Sequence, residues 1–161
     1  MYSLGYDGHV MQEEPATGPS LLASTGYLIA RLGRESRRMW GQMLAEHDLT
    51  PHQFGVLMAL EPLGAASQQQ LSQAVGIDPR NAVPIVDALE HRALLQRRPD
   101  PADRRRHAIT LTEAGRTKIE QLRQAGNDLE NRFLQALTDD ERAGLHATLS
   151  KLFAAVTRTA R

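Results

Sequence analysis

Residues Ser67 to Ile85 read SQQQLSQAVGIDPRNAVPI, a pattern typical of two short helices joined by a tight turn. Ser67 with Gln70 forms a capping box for the first helix, and Asp78 before Pro79 is a favourable start for the second. Gly76 permits the turn because glycine adopts positive φ without steric cost. We therefore predict a helix-turn-helix. The apolar residues expected to pack its two helices together are Leu71, Val75, Ile77, Ala82 and Ile85.

The start of the second helix carries the residues that point to DNA. Its first exposed positions are expected to be Arg80 and Asn81. An arginine can donate two hydrogen bonds to guanine or bind phosphate, and an asparagine can pair with adenine. Amide groups at a helix N-terminus also favour phosphate. Two short helices joined by a glycine turn also form ordinary corners in many folds, so this motif alone leaves DNA binding open.

A run of arginines follows the predicted helix-turn-helix. Residues Arg97 to Thr112 read RRPDPADRRRHAITLT, with five arginines and two aspartates in the first ten positions. The short segments Leu94–Arg98 and His107–Leu111 predict the two strands of a hairpin with a basic tip. Most charge runs are solvated loops, but a basic hairpin directly after a helix-turn-helix is typical of a winged helix-turn-helix. Because the net charge of the whole chain is zero, this cluster of arginines means that positive charge is concentrated in one segment. A concentrated positive charge favours double-stranded DNA as a partner.

Further helices are predicted on both sides of the helix-turn-helix and its hairpin. Thr50-Pro51-His52-Gln53 predicts a helix from Pro51 to about Pro62, and Thr138-Asp139-Asp140-Glu141 predicts another helix start. Three further sets of apolar residues have helical spacing. They are formed by Leu28, Leu32, Met39 and Met43; by Ile119, Leu122, Leu129 and Phe133; and by Leu145, Leu149, Leu152 and Val156. The expected fold is mainly α with a small β-hairpin wing (α+β), a winged helix-turn-helix flanked by N- and C-terminal helices.

Composition restricts the other function classes. The 161 residues are 41% apolar and 24% charged, which is typical of one soluble globular domain. No apolar run approaches the roughly 18 residues of a membrane helix. The first twenty residues resemble no secretory signal, and their glycines and prolines predict a flexible arm over residues 1–20.

Residues with special chemistry are sparse. The chain has no cysteine, which excludes disulfides and thiol-based sensing and is consistent with a cytoplasmic protein. The six histidines show no metal-ligand spacing, so we predict neither a metal nor a cofactor. No cluster of a nucleophile with an acid and a base is evident, and we therefore do not expect an enzyme.

The stretch from Val75 to Arg116 resembles the signature of the MarR family of bacterial transcriptional regulators. Its most specific part is Asp100-Pro101-Ala102-Asp103-Arg104-Arg105, followed by Leu111-Thr112-Glu113-Ala114-Gly115. The order and spacing of the predicted segments also agree with the six helices and winged hairpin of that family. The resemblance therefore extends from Leu21 to Val156.

This resemblance implies an obligate homodimer. Residues 21–161 would form a single domain, with the winged helix-turn-helix lobe at 48–111 and dimerisation helices at 21–47 and 112–158. The apolar stripes of the terminal helices support the expectation, because a lobe of this size offers them no obvious partner and a twofold dimer would bury them. A monomer that packs these stripes internally is the alternative.

By the same resemblance, the second helix of the motif enters the major groove of a pseudopalindromic operator, and the hairpin, or wing, enters the minor groove. The expected DNA contacts are Ser67, Gln68 and Gln69 with phosphate, Arg80 and Asn81 in the major groove, and Arg104, Arg105 and Arg106 at the wing tip. Asp103 is expected to pair with one wing arginine. Which arginine pairs and which enters the groove stays open. A narrow A·T-rich minor groove would attract the unpaired one.

The chain departs from the family pattern in the middle of the second helix. Family members often carry a polar or basic residue there, where this chain has Val83-Pro84. Proline cannot donate to the carbonyl of Arg80, so the helix is expected to bend or to begin tightly. Base discrimination would then depend more on Arg80, Asn81 and the wing, with an apolar contact from Val83 to a thymine methyl.

Many relatives release DNA when a small phenolic or aromatic carboxylate ligand binds between the dimer helices and the DNA-binding lobe. The resemblance therefore implies a repressor of this kind. The candidate ligand contacts are Arg38, Trp40, Met43, His47 and His52. Trp40 and Met43 also fit core positions, and His52 fits a solvent-exposed one. A function of another class stays open as well: a protein-interaction adaptor that keeps the winged-helix scaffold without specific DNA binding.

Overall fold

The structure, a computed structural model, describes residues 24–99 and 107–159. Within them the chain forms six helices and three short strands. In order these are α1 (Thr25–Glu46), α2 (Pro51–Leu63), β1 (Ala65–Ala66), α3 (Gln68–Val75), α4 (Pro79–His91), β2 (Leu95–Pro99), β3 (His107–Leu111), α5 (Glu113–Phe133) and α6 (Asp139–Thr159). The predicted fold class is confirmed. The arm predicted over residues 1–20 lies outside the described residues.

The described residues divide into two units, with the boundary between Arg34 and Glu35. Of the first unit, the structure describes the start of α1, where Leu28, Ile29 and Leu32 are exposed. The second unit contains the apolar core and the remaining elements. Among the described residues, no helix is both long enough and apolar enough to cross a bilayer.

The predicted helix starts are confirmed by the hydrogen bonds of their capping residues. At α2, the hydroxyl of Thr50 accepts from the amide of Gln53 at 3.2 Å, and Oε1 of Gln53 accepts from the amide of Thr50 at 2.9 Å. Ser67 and Gln70 form the same reciprocal pair at α3, and a third capping box opens α6. Side chains therefore satisfy amides that the first helical turn leaves unpaired, which fixes where each helix begins.

The hairpin is confirmed, and the sheet has one strand more than predicted. β2 and β3 are antiparallel, with Leu95 opposite Leu111 and Pro99 opposite His107. β2 begins one residue later than the predicted Leu94. The short β1 pairs with the outer edge of β3, so the strand order is β1-β3-β2. A strand of two residues is too short for any alternation of apolar and polar side chains, and the sequence therefore did not reveal it.

The core of the larger unit is centred on α2. Val56, Leu57 and Leu60 of this helix have no exposed area. They belong to one apolar cluster that draws side chains from α1, α3, α4, α5 and the sheet: Met43, Leu71, Leu89, Leu95, Ile109, Ile119 and Leu122. Burying an aliphatic side chain of this size stabilises the fold by roughly 1.5–3 kcal/mol. The cluster thus holds the short helices of the lobe in place, although none of them is long enough to be stable alone.

The start of α5 rests on the base of the hairpin. The amide of Thr112 donates to the carbonyl of Leu94 at 3.2 Å, and its hydroxyl donates to the carbonyl of Ala93 at 2.6 Å. Gly115 faces the same Leu94 carbonyl, where a Cβ atom would come within 1.9 Å of the oxygen. The backbone of α5 approaches the hairpin so closely that only glycine fits at position 115.

α6 differs from the other helices of the larger unit because none of its described residues is buried. Its predicted apolar stripe is present and open to solvent. The exposed fractions are 37% for Leu145, 41% for Leu149, 46% for Leu152 and 61% for Val156, with Phe153 beside them at 72%. The described part of the chain therefore leaves this face uncovered.

Candidate nucleic-acid interface

The turn between α3 and α4 fixes the direction in which α4 leaves the lobe. Gly76 has a φ of 71°, the left-handed conformation for which glycine was expected. The amide of Ile77 donates to the carbonyl of Ser72 at 2.9 Å. The buried hydroxyl of Ser72 donates to the carbonyl of Gln69 at 2.9 Å, so close packing leaves it satisfied. The two helices therefore form a helix-turn-helix, as predicted.

The first turn of α4 presents the two predicted recognition residues to solvent. The carboxylate of Asp78 caps the helix by accepting from the amide of Arg80 at 2.8 Å. The side chain of Arg80 is 93% exposed, with Nε 3.5 Å from the same carboxylate, and Asn81 is exposed beside it. An exposed ion pair of this kind holds its partners weakly. The guanidinium can therefore turn to another anion, at a helix end that itself attracts negative charge.

α4 continues through Pro84 without interruption. The amide of Asn81 donates to the carbonyl of Asp78 at 2.9 Å, three residues back, so the helix begins with a tight turn, one of the two outcomes expected. Residues three, four and seven positions apart share one face of a helix. The outward face, which we name the recognition face, consists of the exposed residues Arg80, Val83, Pro84 and Asp87.

The three predicted phosphate contacts lie at the start of α3. The hydroxyl of Ser67 accepts from the amide of Gln70 at 3.3 Å and donates to its Oε1 at 3.0 Å, so it is engaged in the cap. Gln68 is half-buried, whereas Gln69 is exposed. Gln69 is therefore the most accessible side chain of the three.

The structure describes the two arms of the predicted wing and not its tip. Arg104, Arg105 and Arg106 lie outside the described residues, as does Asp103. On the arm formed by β2, Arg98 is exposed and donates to the side chain of Gln96 at 3.2 Å. The two arms therefore have the hairpin geometry that the wing requires.

Arg97 joins β2 to α4 through contacts that sequence reasoning missed. Its Nη2 lies 2.5 Å from Oδ1 of Asp87, its Nη1 donates to Oε2 of Glu90, and its amide donates to Oε1 of Glu90 at 2.9 Å. We name this group the Arg97 clamp. Partial burial acts to lower the pKa of Arg97, but hydrogen bonds to both carboxylates raise it above its ordinary value, so these contacts favour the charged guanidinium. Two acids at i and i+3 on α4 were the available signal, and their pairing with Arg97 depends on how β2 lies against the helix.

The five candidate effector contacts lie in different environments. Met43 is buried and Trp40 is half-buried against the same core, which confirms the core positions expected as an alternative. His47 is half-buried, and His52 is exposed at the second position of α2. Arg38 is exposed and paired with a glutamate of its own helix. Arg38 and His52 are thus the most accessible candidates.

A cavity of about 280 Å³ opens between α2, β3 and α5. Its lining combines the apolar side chains of Leu60 and Leu111 with the charged side chains of Glu61, Arg116, Glu120 and Arg123. None of the five candidate effector contacts lines it.

Comparison with known proteins gives consistent matches over most of the chain. A sequence model of the MarR family matches residues 49–107. The HTH-type transcriptional repressor NicR of Pseudomonas putida is 29% identical over 127 residues, which cover 79% of this chain and 80% of NicR. The multiple antibiotic resistance protein MarR of Salmonella typhimurium is 30% identical over 128 residues, which cover 79% of this chain and 89% of that protein.

Two solved structures share the fold. A mutant MarR of E. coli in complex with operator DNA has a TM-score of 0.62 at 29% identity, covering 79% of this chain and 91% of that one. BpsR of Bordetella bronchiseptica, described with the regulation of its DNA binding by 6-hydroxynicotinic acid, has a TM-score of 0.62 at 30% identity, covering 80% of this chain and 92% of that one.

Proposed function

Because this chain belongs to the MarR family, whose matched relatives are transcriptional regulators and not enzymes, we propose that it binds a pseudopalindromic DNA operator as a homodimer. The observation that carries the proposal is the first turn of α4, where Arg80 and Asn81 are exposed at the helix N-terminus. The buried contact between α3 and α4 fixes the position of this turn. Such a turn supplies base contacts from its side chains and phosphate contacts from its amides.

In this proposal the first turn of α4 lies in the major groove, with the recognition face and the neighbouring Asn81 toward the bases. Arg80 donates to guanine or phosphate, Asn81 pairs with adenine, and Val83 contacts a thymine methyl. Ser67, Gln68 and Gln69 of the α3 start lie along phosphates. Arg104, Arg105 and Arg106 reach the minor groove, where a narrow A·T-rich segment attracts cations.

The homodimer is supported by the uncovered apolar face of α6. Leu145, Leu149, Leu152 and Val156 recur at i, i+4, i+7 and i+11, and each is more than a third exposed. A monomeric protein rarely leaves such a continuous apolar stripe in water. A second copy would cover it across a twofold axis, with segments 21–47 and 112–158 as the dimerisation helices around the lobe at 48–111.

We also propose that the protein is a repressor that a small aromatic ligand releases from DNA in the cytoplasm. The name of NicR as a repressor and the regulation of BpsR by 6-hydroxynicotinic acid support this. The candidate ligand contacts are Arg38, Trp40, Met43, His47 and His52. An anionic ring would require a cation, and Arg38 is the arginine of this set.

Selection of bound fragments from genomic DNA, followed by binding titrations over a range of salt, tests the proposal. A DNA-binding protein loses affinity steeply as salt rises, because binding releases counterions from the phosphates. Addition of 6-hydroxynicotinic acid to the complex then tests release by a ligand of the proposed class. If no fragment is enriched and no salt-dependent binding occurs, the adaptor function becomes the better proposal.

Single substitutions of the contact arginines test the interface itself. We expect Arg80→Ala, and at least one of Arg104→Ala and Arg105→Ala, to weaken operator binding by about 1–3 kcal/mol while the dimer stays intact. Arg132→Ala removes an exposed arginine of α5 outside the proposed DNA contacts, and it serves as the control once sedimentation shows that its dimer is intact. If Arg104→Ala and Arg105→Ala both bind like the parent protein, the wing assignment is wrong.

A further inference from the structure

The Arg97 clamp ties the edge of the sheet to the proposed recognition helix. Arg97 lies at the middle of β2, opposite the buried Ile109 of β3. Its amide donates to Glu90, so the N–H of this β2 position is used by α4 while the residue stays in register with β3. Its guanidinium reaches two carboxylates one helical turn apart, and its side chain is 26% exposed. Three contacts from one residue therefore set where β2, and the hairpin that continues it, lies along α4.

The clamp also changes the charge that α4 presents. Asp87 shares the recognition face with Arg80, two turns further along the helix, and Glu90 follows three residues later. Two unpaired carboxylates near a DNA backbone would repel it, because like charges brought together at an interface are strongly unfavourable. The guanidinium of Arg97 contacts both carboxylates and compensates one of their two negative charges.

Arg97 has little capacity left to contact DNA directly. Nη1 and Nη2 are both engaged with carboxylates, and the backbone amide is engaged as well. The adjacent Arg98 is exposed and donates to the side chain of Gln96 on its own strand at 3.2 Å. Two consecutive arginines of the same basic run thus have different environments, which makes each a control for the other.

We infer that Arg97 is a positioning residue for DNA recognition: it sets the wing against α4 and offsets one of the two negative charges of Asp87 and Glu90, without itself contacting DNA. This inference rests on the proposed DNA binding. Simultaneous insertion of a helix and a wing into two grooves requires a defined distance between them, and the clamp is the polar contact that supplies it. Binding to a selected operator should therefore depend on Arg97 more than binding to random DNA does.

The test compares Arg97→Gln with Arg98→Gln in the full-length protein, using a selected operator and random DNA at several salt concentrations. We expect Arg97→Gln to weaken operator binding by about tenfold, the order expected when a partly buried hydrogen-bonded charge pair loses one partner. Binding to random DNA should fall less. The slope of log affinity against log salt should change by less than the roughly one unit expected for a lost phosphate contact, because only repulsion by the carboxylates is added.

A triple variant distinguishes the effect of the clamp on charge from its effect on the position of the wing. In the triple variant Asp87→Asn, Glu90→Gln, Arg97→Gln, the unpaired carboxylates are gone, and we expect part of the lost operator affinity to return. A decrease of the salt slope by about one in Arg97→Gln would mean that Arg97 binds phosphate, which overturns the inference. Operator affinity equal to that of the parent would overturn it too.

A measurement without DNA distinguishes failure of the clamp from failure of the proposed function. Amide hydrogen exchange over residues 95–98 should become faster in Arg97→Gln and stay unchanged in Arg98→Gln, because only the first variant frees β2 from α4. Arg97→Lys keeps the charge but offers one donor group in place of a fork, so we expect an intermediate result. Unchanged exchange in Arg97→Gln contradicts the clamp. Absence of DNA binding in the parent protein contradicts the proposed function instead.

Discussion

α2 and α6 begin alike and end in opposite environments. Each opens with a complete capping box, from Thr50 at α2 and from Thr138 at α6, and each carries apolar residues. Val56, Leu57 and Leu60 of α2 have no exposed area, whereas all apolar side chains of the described part of α6 are accessible to solvent. The difference teaches that a cap and an apolar stripe define a helix and its face, and that the surrounding elements determine whether that face is buried.

The comparison also separates two kinds of stabilisation. The buried apolar side chains of α2 are covered by other elements of the same chain, so their burial does not depend on protein concentration. Covering α6 requires a second molecule in our proposal, and its contribution should then follow mass action.

The largest effect is expected at the crowded glycine of α5. Gly115→Ala places a Cβ atom against the carbonyl oxygen of Leu94, a backbone atom that cannot move aside without shifting the hairpin. We expect a loss of about 4 kcal/mol or more in the free energy of unfolding, or failure to fold, because overpacking against backbone is among the severest single changes. Urea unfolding at fixed protein concentration measures it.

Gly144→Ala in α6 is the matched control. A Cβ atom at Gly144 meets no atom within 4 Å, so the gain in helix propensity should stabilise α6 by up to about 1 kcal/mol. A loss of stability at Gly144 would show that this side of α6 is covered in solution. Normal stability of Gly115→Ala would contradict the close approach of α5 to the hairpin.

The same leucine truncation in the two helices should give effects of different kinds. Leu57→Ala removes a fully buried side chain and should lower the free energy of unfolding by roughly 3 kcal/mol at every protein concentration. Leu152→Ala should instead weaken dimer association by about 2 kcal/mol and leave the lobe folded. Sedimentation over a concentration series and urea unfolding distinguish the two. A dimer of unchanged affinity in Leu152→Ala would place the subunit contact elsewhere.

The smallest effect concerns pH and the cap of α6. The amide and hydroxyl of Thr138 donate to the carboxylate of Glu141, and these hydrogen bonds lower the pKa of Glu141 below its ordinary value. A carboxylate with a depressed pKa in the folded state stabilises the fold above its unfolded pKa, and this stabilisation is lost as pH falls through the folded pKa. The corresponding residue of α2, Gln53, does not titrate. Acidification should therefore loosen the start of α6 and not that of α2.

The protection of amides 138–142 against hydrogen exchange, relative to unfolded chain at the same pH, measures this loosening. It is compared between neutral pH and about pH 3, where a carboxylate of ordinary pKa is mostly protonated. Glu141→Gln keeps the shape of the box and removes the charge, so it should abolish the part of the pH dependence that comes from the cap. Parallel behaviour of the parent and Glu141→Gln proteins would contradict the assignment.

Sequence reasoning was most successful where a few neighbouring residues suffice. The starts of α2, α3, α4 and α6, the glycine turn at Gly76 and the two strands of the hairpin follow from hydrogen bonds and steric limits within a few positions. The exposure of Arg80 followed from its place in the first turn of α4. The wing arginines Arg104, Arg105 and Arg106, and the assignment of the DNA and effector contacts, stay predictions.

What was missed involves partners far apart in the chain. The strand β1 depends on the free edge of β3, more than 40 residues later. The steric need for Gly115 depends on the carbonyl of Leu94, although the residue itself belonged to the family pattern. Arg97 appeared to be one more member of a basic run, and its pairing with α4 depends on the packing of a strand on a helix.

Local chemistry in the chain therefore specifies where the helices and strands begin, which face of each is apolar and where the positive charge is concentrated, because caps, turns and periodicity act over one or two turns of backbone. Packing of the folded chain specifies which apolar faces are covered, which arginine is held by carboxylates and which glycine cannot be replaced. These outcomes depend on distances between elements that no short segment contains. Arg97 and Arg98 are adjacent in sequence and alike in chemistry, yet the fold engages the first in a clamp and leaves the second exposed.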